Sequence, residues 1–411
     1  MDELPIGRRV AYWRGRRRMS QQVFADRLGK SKSWVDKVER GVRRLDKFSV
    51  VYEIADVLQL DVQLLLGRDP ERRPDSMNCI DQVEVEEIRS ALVRYDQISA
   101  FFYAPPEPPP LTEIRKAVTH AWQTYQHAKY GVLARALPKL LREAQAADAA
   151  YAGSDHSPDT AHQLAQVYQL SSSTLRKLGE HELSWLAADR SIAVSQRAGD
   201  PLLAGTATYR VASSLLALGR ARPALEVNVN IANRLAPGTD AEPVTPERLS
   251  VYGMLLLQGA MAAARIGDSA TVRDLITGAD EAARALGSDE NHYWTSFGPT
   301  NVELHRAAAM VELGDGRVAV DAHENHLNLA GFMAMMPERR AHHFLDIARG
   351  FAQLGEVDRA AEMLLEGDRL APSEIRCRPI AREVLSDVLR RTRGTPPLPL
   401  AELAENMGVG V

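Results

Sequence analysis

The chain has 411 residues, of which 45% are hydrophobic and 25% are charged, and its net charge is −4. Such a composition is typical of a soluble globular protein, and the length predicts more than one domain. No uncharged apolar run reaches about 18 residues, so we expect no transmembrane helix. The first residues lack an apolar signal core, and the two distant cysteines, Cys79 and Cys377, suit a reducing compartment. We therefore expect a cytoplasmic protein.

Charge is divided unevenly along the chain. Residues 1–68 carry 15 lysines and arginines against 9 acidic residues, a net charge of +6. The remainder carries 35 against 45, a net charge of −10. A basic segment joined to an acidic one is typical of a nucleic-acid-binding domain fused to a domain with another role. A basic surface that is only solvated would give the same charge count. The pattern of helices must therefore decide between these two interpretations.

The basic segment has the pattern of a small helical domain. Ser20 is a suitable N-cap for one short helix, which Gly29 ends, and Ser31 is a suitable N-cap for the next, which Gly41 ends. The connection of about three residues allows only a sharp turn, which is the helix-turn-helix arrangement. Apolar residues at helical spacing predict three further helices, which makes five. These three lie over residues 6–18, 48–58 and 62–66.

The stretch SQQVFADRLGKSKSWVDKVERG, followed by IADVLQLDVQLLLG, resembles the Cro/cI (XRE-like) family of helix-turn-helix DNA-binding domains over roughly residues 4–68. The resemblance implies that the 31–40 helix enters the major groove of DNA and reads bases through Lys32, Ser33 and Lys37. Gln21 would touch a phosphate or brace the reading helix, and Ser31 would cap that helix or touch a phosphate. Contacts with the DNA backbone position a protein without specifying sequence. The side chains implied for them are Arg16, Arg17, Arg18, Gln21, Ser31, Arg40, Arg43 and Arg44.

Two proline-broken segments predict a linker over residues 69–111. The first, at 67–76, is polar and predicts a hinge after the DNA-binding domain. The second, APPEPPP at 104–110, predicts a stiff polyproline II spacer. Between them residues 81–103 predict a helix that either connects the domains or pairs two chains.

From residue 112 onward a short phrase recurs in a helix-rich, Ala- and Leu-rich sequence. It reads KLGE, ALGR, RIGD, ELGD and QLGE, and its glycines are 40, 48, 47 and 41 residues apart. Small residues stand seven positions before and five positions after almost every one of these glycines, which favours two antiparallel helices in close contact around a glycine turn. Gly131 fits a sixth, degenerate unit. The five glycines of the phrase are Gly179, Gly219, Gly267, Gly314 and Gly355.

This repetition resembles the tetratricopeptide repeat family over residues 112–390, with units longer than usual. The last unit carries the resemblance best, through Phe344, Ala348, Phe351, Gly355, Ala360 and Pro372. The resemblance implies an α-solenoid whose first helices line a concave groove. The implied groove residues, suited to a peptide or small molecule, are Gln166, Gln169, Ser173, Thr206, Tyr209, Ser213, Met254, Leu257, Met261, Asn301, His305, His342 and Arg349. We expect residues 391–411 to form a loosely ordered tail.

The best enzymatic candidate in the sequence is DAHENHL, with His323, Glu324 and His326. Zinc peptidases fused to helix-turn-helix domains use His-Glu-x-x-His, in which the histidines are four apart on one helical face. Here the spacing is three, so the motif is not matched, and burial in a second repeat helix explains the histidines. The pair His342–His343 would complete a zinc site if it joined them. We expect no enzyme, no cofactor and no metal.

The sequence thus predicts an all-α protein, with a five-helix Cro/cI-like domain at 1–68 followed by a tetratricopeptide-like α-solenoid. The first functional hypothesis is a transcriptional regulator that binds double-stranded DNA as a homodimer and senses a peptide, a small molecule or a protein partner. The architecture resembles the peptide-pheromone-responsive regulators of Gram-positive bacteria. A DNA-localised scaffold without a small ligand is the second hypothesis, and a metal-dependent peptidase is the third.

Overall fold

The computed structural model describes residues 6–17, 19–43, 45, 48–58, 82–93, 108–238 and 244–410. Regular secondary structure within these ranges is helical throughout, in agreement with the all-α prediction. The chain divides into two compact units. Residues 1–77 with 81–83 form the N-terminal domain, and residues 78–80 with 84–411 form the helical body. None of the helices in the described ranges combines the length and the apolar character needed to cross a bilayer.

The N-terminal domain contains four helices within its described part. They are α1 (Ile6–Arg16), α2 (Gln21–Arg27), α3 (Lys32–Glu39) and α4 (Phe48–Leu58). One side chain or more from each helix enters a common core, which includes Val10, Phe24, Val35 and Ile54, all fully buried. Arg18, Arg44 and the predicted fifth helix over 62–66 lie outside the described residues.

The approach of α1 to α3 depends on a glycine that the sequence pattern did not single out. A Cβ placed on Gly7 would lie 1.9 Å from the carbonyl oxygen of Val38. No side chain fits in that space, so α1 packs backbone to backbone against the end of α3. This contact fixes the orientation of the second helix of the helix-turn-helix pair.

The helical body continues the chain as a series of helices joined mostly by short turns. Its helices are α5 (Gln82–Val93), α6 (Leu111–Gln126), α7 (Tyr130–Ala150), α8 (Ser157–Lys177), α9 (His181–Ala198), α10 (Pro201–Ala217), α11 (Ala221–Leu235), α12 (Pro246–Arg265), α13 (Ser269–Leu286), α14 (Pro299–Glu312), α15 (Gly316–Asp321), α16 (Leu329–Ala334), α17 (Pro337–Leu354), α18 (Val357–Leu370), α19 (Pro372–Arg376), α20 (Pro379–Arg391) and α21 (Leu398–Met407).

The predicted glycine turns are confirmed. All five glycines of the repeated phrase lie between paired helices with φ between +75° and +85°, a region that glycine enters without strain. The ten residues predicted to let the helices approach are all buried, from Ser172 and Ser184 in the first of these pairs to Ala348 and Ala360 in the last. The hydroxyls of Ser172, Ser184 and Ser214 also form a buried cluster, with Oγ–Oγ distances of 2.7–3.3 Å.

Two sequence expectations about the repeats differ from the structure. Gly131 lies inside α7, and the turn before that helix is made by Ala128, whose φ is +54°. In the DAHENHL stretch the second repeat helix changes character, because α15 ends at Asp321 and a π-helix covers Ala322–His326. A six-residue helix, α16, then precedes α17. The fifth repeat is therefore interrupted by an insertion that periodicity did not indicate.

Both ends of the body extend beyond the predicted repeats. Ile88, Ala91 and Leu92 of α5 are buried in the same core as α6 and α7, so this helix packs on the body, although the sequence placed it in a linker. Residues 94–107 of the predicted connecting helix and spacer lie outside the described residues. The expectation of a loosely ordered tail is wrong over α21, where Leu400, Leu403 and Met407 enter the last core. The apolar spacing of LPLAELAENM buries one face of that helix.

Candidate DNA-binding surface and effector cavity

The recognition helix α3 is capped and presents one polar side. The Ser31 hydroxyl accepts a hydrogen bond from the Trp34 amide at 3.1 Å, so Ser31 serves as the N-cap. Val35 is fully buried, whereas Lys32, Ser33 and Lys37 are all exposed. The three predicted base-reading residues are therefore accessible to solvent.

The C-terminal end of α3 is held by a buried carboxylate. Arg14 donates from Nε to Oε1 of Glu39 at 2.5 Å and from Nη2 to Oε2 at 3.0 Å. The amide of Gln21 donates to the same Oε2 at 2.8 Å, so its amide nitrogen braces the reading helix. A third arginine nitrogen, Nη1 of Arg14, donates to the Met19 carbonyl at 2.6 Å. The network joins α1, the start of α2 and the end of α3.

Two of the arginines implied for DNA-backbone contacts have partners within the domain. Arg17 donates from Nε to the Leu58 carbonyl at 2.8 Å, which ties α1 to the C-terminus of α4. Arg40 pairs with Asp36 one turn earlier at 2.6 Å, and both side chains are exposed. An exposed pair of this kind is worth little and exchanges readily for another anion, whereas the Arg17 bond anchors a helix end.

The other two described arginines lie against aromatic rings. The guanidinium of Arg16 lies 5.4 Å from the ring centre of Trp13, and that of Arg43 lies 5.8 Å from the ring centre of Trp34. Both arginines are exposed. Such stacking restrains a long side chain while it leaves the charge accessible.

In the helical body the first helices of successive pairs surround a cavity with two connected parts. The wide part has a volume of about 360 Å³. A narrower deep part adjoins it, and Arg176, Tyr209 and Arg339 line both. Of the predicted groove residues, those lining the wide part are Tyr209, Ser213, Met261, His305, His342 and Arg349. Those lining the deep part are Thr206, Tyr209 and Met254.

The remaining groove predictions fall beside the cavity. Leu257 and Asn301 are fully buried, and the Asn301 amide donates to the Ser296 carbonyl at 2.8 Å. Gln169 donates to the Leu203 carbonyl at 3.3 Å, and Ser173 donates to the Gln169 carbonyl at 2.9 Å. Gln166 accepts a hydrogen bond from a tryptophan described below. These side chains pack against or hydrogen-bond to neighbouring residues, and they do not line the cavity.

Sequence reasoning missed the most distinctive cavity residues, which are Arg176, Arg210 and Arg339. A signal for two of them was present. The predicted groove residues lie about thirteen, ten or six residues before the glycines of the repeated phrase. One more helical turn in either direction selects Arg176, three before Gly179, and Arg339, sixteen before Gly355. Arg210 follows Tyr209 directly and is not distinguished by that spacing.

The histidines around the wide part are neutral. Burial lowers the pKa of His305 to about 3, with a further contribution from the charge of Arg339. Burial also lowers the pKa of His343 to about 3, and it lowers that of His342 well below its usual value. These side chains therefore offer hydrogen bonds but no charge at neutral pH, and the positive potential of the cavity comes from its arginines.

A strap, which we define as residues 287–298 between α13 and α14, forms one wall of the deep part. Its backbone is strained, because Tyr293, Trp294 and Ser296 have φ values of +50°, +60° and +49° without being glycine. The Trp294 indole stacks on that of Trp122, with 5.9 Å between ring centres and 11° between planes. Strain of this kind persists only where surrounding contacts impose it.

Polar contacts hold the strap to earlier helices. Asn291 and Gln126 exchange two amide hydrogen bonds of 3.0 Å. Trp294 donates from its indole nitrogen to Gln166 at 3.0 Å, and the Tyr293 hydroxyl donates to Asp200 at 2.8 Å. The strap thus connects the middle of the body back to α6, α8 and the start of α10, and it encloses the deep part of the cavity.

The sequence raised the question of a metal site, and two clusters bear on it. His323 approaches His343, with 3.1 Å between Nδ1 and Nε2, but His326 instead lies 3.3 Å from Asp321. The four histidines do not converge. A separate group, Glu338, His342 and Glu374, has ligand atoms within 4.8 Å of one another.

That second group already surrounds an ammonium. The Nζ of Lys177 donates to Glu338 and to Glu374 at 2.6 Å each. Burial raises the pKa of Glu338, but Lys177 and Arg339 outweigh it and bring that pKa to about 2. Lys177, Glu338 and Glu374 are all buried, and the lysine ammonium occupies the position that a metal cation would take. The arrangement is a buried ion-pair network that joins α8, α17 and α19.

These observations define a protein of two parts, a helix-turn-helix domain and a repeat-built helical body that encloses a cavity. Residues 5–66 match the family model described as a helix-turn-helix domain. Among solved structures, the chain matches the crystal structure of Bacillus thuringiensis PlcR in complex with the peptide PapR7 and DNA. That match has 12% identity and a TM-score of 0.30, and it covers 69% of this chain and 95% of that one. No curated protein matches the chain.

A TM-score of 0.30 describes a loose correspondence of helices. The assignment of the helical body therefore rests on its own glycine turns and buried small residues, and the assignment of the N-terminal domain rests on the family model and the capped helix pair.

Proposed function

We propose that the chain is a transcriptional regulator that reads duplex DNA with α3 and responds to an effector bound in the cavity of the helical body. The observation that carries the proposal is the exposed set Lys32, Ser33 and Lys37 on a capped and braced second helix of a helix-turn-helix pair. In such domains the N-terminal side chains of that helix meet base edges in the major groove.

The regulator acts as a homodimer in this proposal. A single recognition helix of eight residues reaches few base pairs, and two domains are needed for a specific site. Half-sites about 34 Å apart, or a multiple of that, would place both helices on one face of the duplex. An effector that favours one arrangement of the body over another would change the separation of the two domains and hence the affinity for DNA.

The size and lining of the cavity favour a ligand over a protein partner. Its wide part, about 360 Å³, is within the usual range for small-molecule sites, and soft apolar groups such as Met261 stand beside polar ones. We assign no catalytic residue, since the histidines of the body do not converge on one point and the buried carboxylates hold a lysine.

The experiment is selection of bound fragments from genomic DNA, followed by fluorescence anisotropy on the selected sites with the full chain. We expect the Lys32→Ala/Lys37→Ala variant to lose discrimination between its site and unrelated DNA, by about 1–3 kcal/mol for each base contact. Arg43→Ala should weaken binding to all sequences alike and reduce the log–log salt slope by about 0.9. Lys139→Ala, which removes an exposed charge from the body, is the control and should bind as wild type.

Failure of the wild-type chain to bind any duplex at low ionic strength would refute the DNA-reading proposal. Identical effects of the lysine and arginine substitutions would refute the division between base and phosphate contacts. Selected fragments that contain two half-sites at the proposed spacing would support the homodimer. Fragments that contain a single half-site would contradict it.

A further inference from the structure

Three cavity arginines lack a carboxylate partner. Among the described residues, no Asp or Glu oxygen lies within 4.0 Å of the guanidinium nitrogens of Arg176, Arg210 or Arg339. The Nε atoms of Arg210 and Arg339 are buried and have no hydrogen-bond partner in the part of the chain that the structure describes. The carboxylate nearest in sequence, that of Glu338, is engaged by Lys177 at 2.6 Å.

Other arginines along the same cavity are paired, which sets these three apart. Arg349 lies 2.8 Å from Glu312, and Arg265 lies 2.6 Å from the same carboxylate. Arg378 lies 2.8 Å from Glu374. The three arginines of the deep part are thus distinguished by the lack of a direct ion pair, although the Glu338 carboxylate also lines this part and its charge acts on Arg176 and Arg339.

Burial of an uncompensated guanidinium is costly, because the charge loses its hydration. Arg210 is 7% exposed, and its guanidinium is partly compensated by stacking 4.6 Å from the Tyr209 ring centre and 5.2 Å from that of Trp122. The potential at the Tyr209 hydroxyl is positive. Burial raises the pKa of Tyr209, but Arg210, Arg339 and Arg176 together outweigh it and leave that pKa below its usual value.

The shape of the site fits a ligand with one charged end. The three arginines meet in the narrow part, where Tyr125, Trp294 of the strap and Met254 complete the walls. Arg176 and Arg339 also face the wide part, which is lined by Leu216, Met261 and Ile380 among others. A charged group at the arginines would therefore leave the rest of the molecule in the wide part.

We propose that Arg176, Arg210 and Arg339 form a binding site for an oxyanion group, the carboxylate or phosphate of an organic effector whose remainder occupies the wide part of the cavity. The planar guanidinium fork matches both groups in two-point hydrogen bonding. This proposal rests on the proposed function, since it names the chemical class of the effector at the same cavity. The strap contributes Trp294, Thr295 and Ser296 to the wall behind that group.

The test is thermal unfolding of the full chain with inorganic phosphate or succinate as the probe, against sodium chloride at equal ionic strength. We expect wild type to be stabilised saturably by at least one probe and not by chloride. The probe with the lower half-saturation concentration identifies the group, phosphate or carboxylate. Absence of any probe-specific stabilisation overturns the proposal.

The variants are Arg339→Met and Arg210→Met, with Arg273→Met as the control because Arg273 is exposed on α13. Arg339→Met removes both the repulsion from the other two arginines and the attraction of the Glu338 carboxylate, so it is judged by its response to the probe and not by its stability alone. Its half-saturation concentration should rise about ten- to hundredfold, as expected when a charged hydrogen bond is lost. Arg273→Met should respond as wild type. An unchanged response of Arg339→Met and Arg210→Met overturns the proposal.

Arg339→Lys covers the case in which the methionine variants fail to fold. It keeps the charge and the long stem but lacks the two-point fork, so it should fold and still bind the probe at least several-fold more weakly. Wild-type affinity in Arg339→Lys would overturn the proposal. No DNA is present in these measurements, so loss of the oxyanion site leaves DNA reading intact, and failure of DNA binding leaves the oxyanion result intact.

Discussion

Arg14 forms a two-point ion pair with Glu39, with N–O distances of 2.5 and 3.0 Å, and this pair connects the first helix to the end of the recognition helix. Gln21 adds a third hydrogen bond to the same carboxylate. The side chain of Glu39 is only 6% exposed, so the pair is almost removed from water. The position of the recognition helix thus depends on a buried charge whose partners come from two other helices.

Glu39→Ala should destabilise the N-terminal domain by about 3 kcal/mol, because it leaves the half-buried Arg14 guanidinium without its ion-pair partner. Hydrogen exchange of the backbone amides of α1 to α4, measured in the full chain, reports the loss. The matched control is Asp36→Ala, which removes the exposed pair with Arg40 on the same helix and should cost less than about 1 kcal/mol. Equal exchange in both variants would show that the buried pair does not hold the helix.

Stability of the helical body should fall as pH falls below about 6.5. The pKa values of His305 and His343 are lowered to about 3 by burial, whereas unfolded histidine has a pKa of about 6.5. Between these values the unfolded chain binds protons that the folded chain does not, so acid favours unfolding. At pH 5.5 each histidine should cost roughly 1 kcal/mol relative to pH 7.5.

Denaturant unfolding at pH 7.5, 6.5 and 5.5 measures this dependence. The pKa values of His162, His181, His323 and His342 are also lowered, so they act in the same direction. The His305→Gln/His343→Gln variant should therefore retain a smaller pH dependence. A slope equal to that of wild type would show that these two histidines are not the source. Glu338, with a pKa of about 2, acts only at lower pH and does not confuse the comparison.

The strap is anchored through Phe297, which is fully buried against Gly253 of α12. A Cβ on Gly253 would lie 1.9 Å from Cζ of that ring, so Gly253→Ala should displace the ring and lower the free energy of unfolding by about 2 kcal/mol. Gly259→Ala, on the same helix, meets only the end of a leucine side chain at 3.2 Å. It should be neutral or stabilising by up to about 1 kcal/mol, since alanine favours a helix.

The same pair of variants tests whether the strap encloses the cavity. Trp294 fluorescence quenching by iodide should rise in Gly253→Ala relative to Gly259→Ala, because displacement of Phe297 loosens the stacked Trp294. Equal quenching together with equal stability would contradict the anchoring role of Phe297.

The C-terminal helix α21 offers two leucines in contrasting environments. Leu400 is 1% exposed in the last core, whereas Leu398 is 71% exposed. Leu400→Ala should cost about 2–4 kcal/mol through lost burial and the cavity left behind. Leu398→Ala should change stability by less than about 0.5 kcal/mol. Denaturant unfolding of both variants distinguishes a packed helix from a loose tail, for which neither substitution would matter.

Local patterns were sufficient for the parts of the fold that depend on neighbours in sequence. The caps Ser20 and Ser31, with the turns at Gly29 and Gly41, follow from hydrogen bonds and φ angles within a few residues. The glycine turns of the repeats follow for the same reason. The predicted repeat turn at Gly131 was wrong, because Ala128 makes that turn with a φ of +54°. Only packing imposes that conformation on a residue with a side chain.

The candidate sites divide in the same way. The exposed side of α3 follows from the 3.6-residue period, and six of the thirteen groove residues line the wide part because the period also predicts which face of a first helix points inward. The period does not tell which polar side chains find partners. Gln169 and Asn301 bond to neighbouring backbone, and Arg17 bonds to the Leu58 carbonyl across 41 residues of sequence.

The sequence by itself thus determined the described helices of the N-terminal domain, the helix-turn-helix pair and the five glycine turns of the repeats, because these depend on chain geometry over a few residues. Only the tertiary structure decided that α5 and α21 belong to the body, that the strap forms one wall of the deep part of the cavity, and that Arg176, Arg210 and Arg339 meet there without direct ion pairs. These features depend on contacts between residues up to 170 positions apart. Burial and charge compensation at such contacts are properties of the assembled fold, and no local pattern records them.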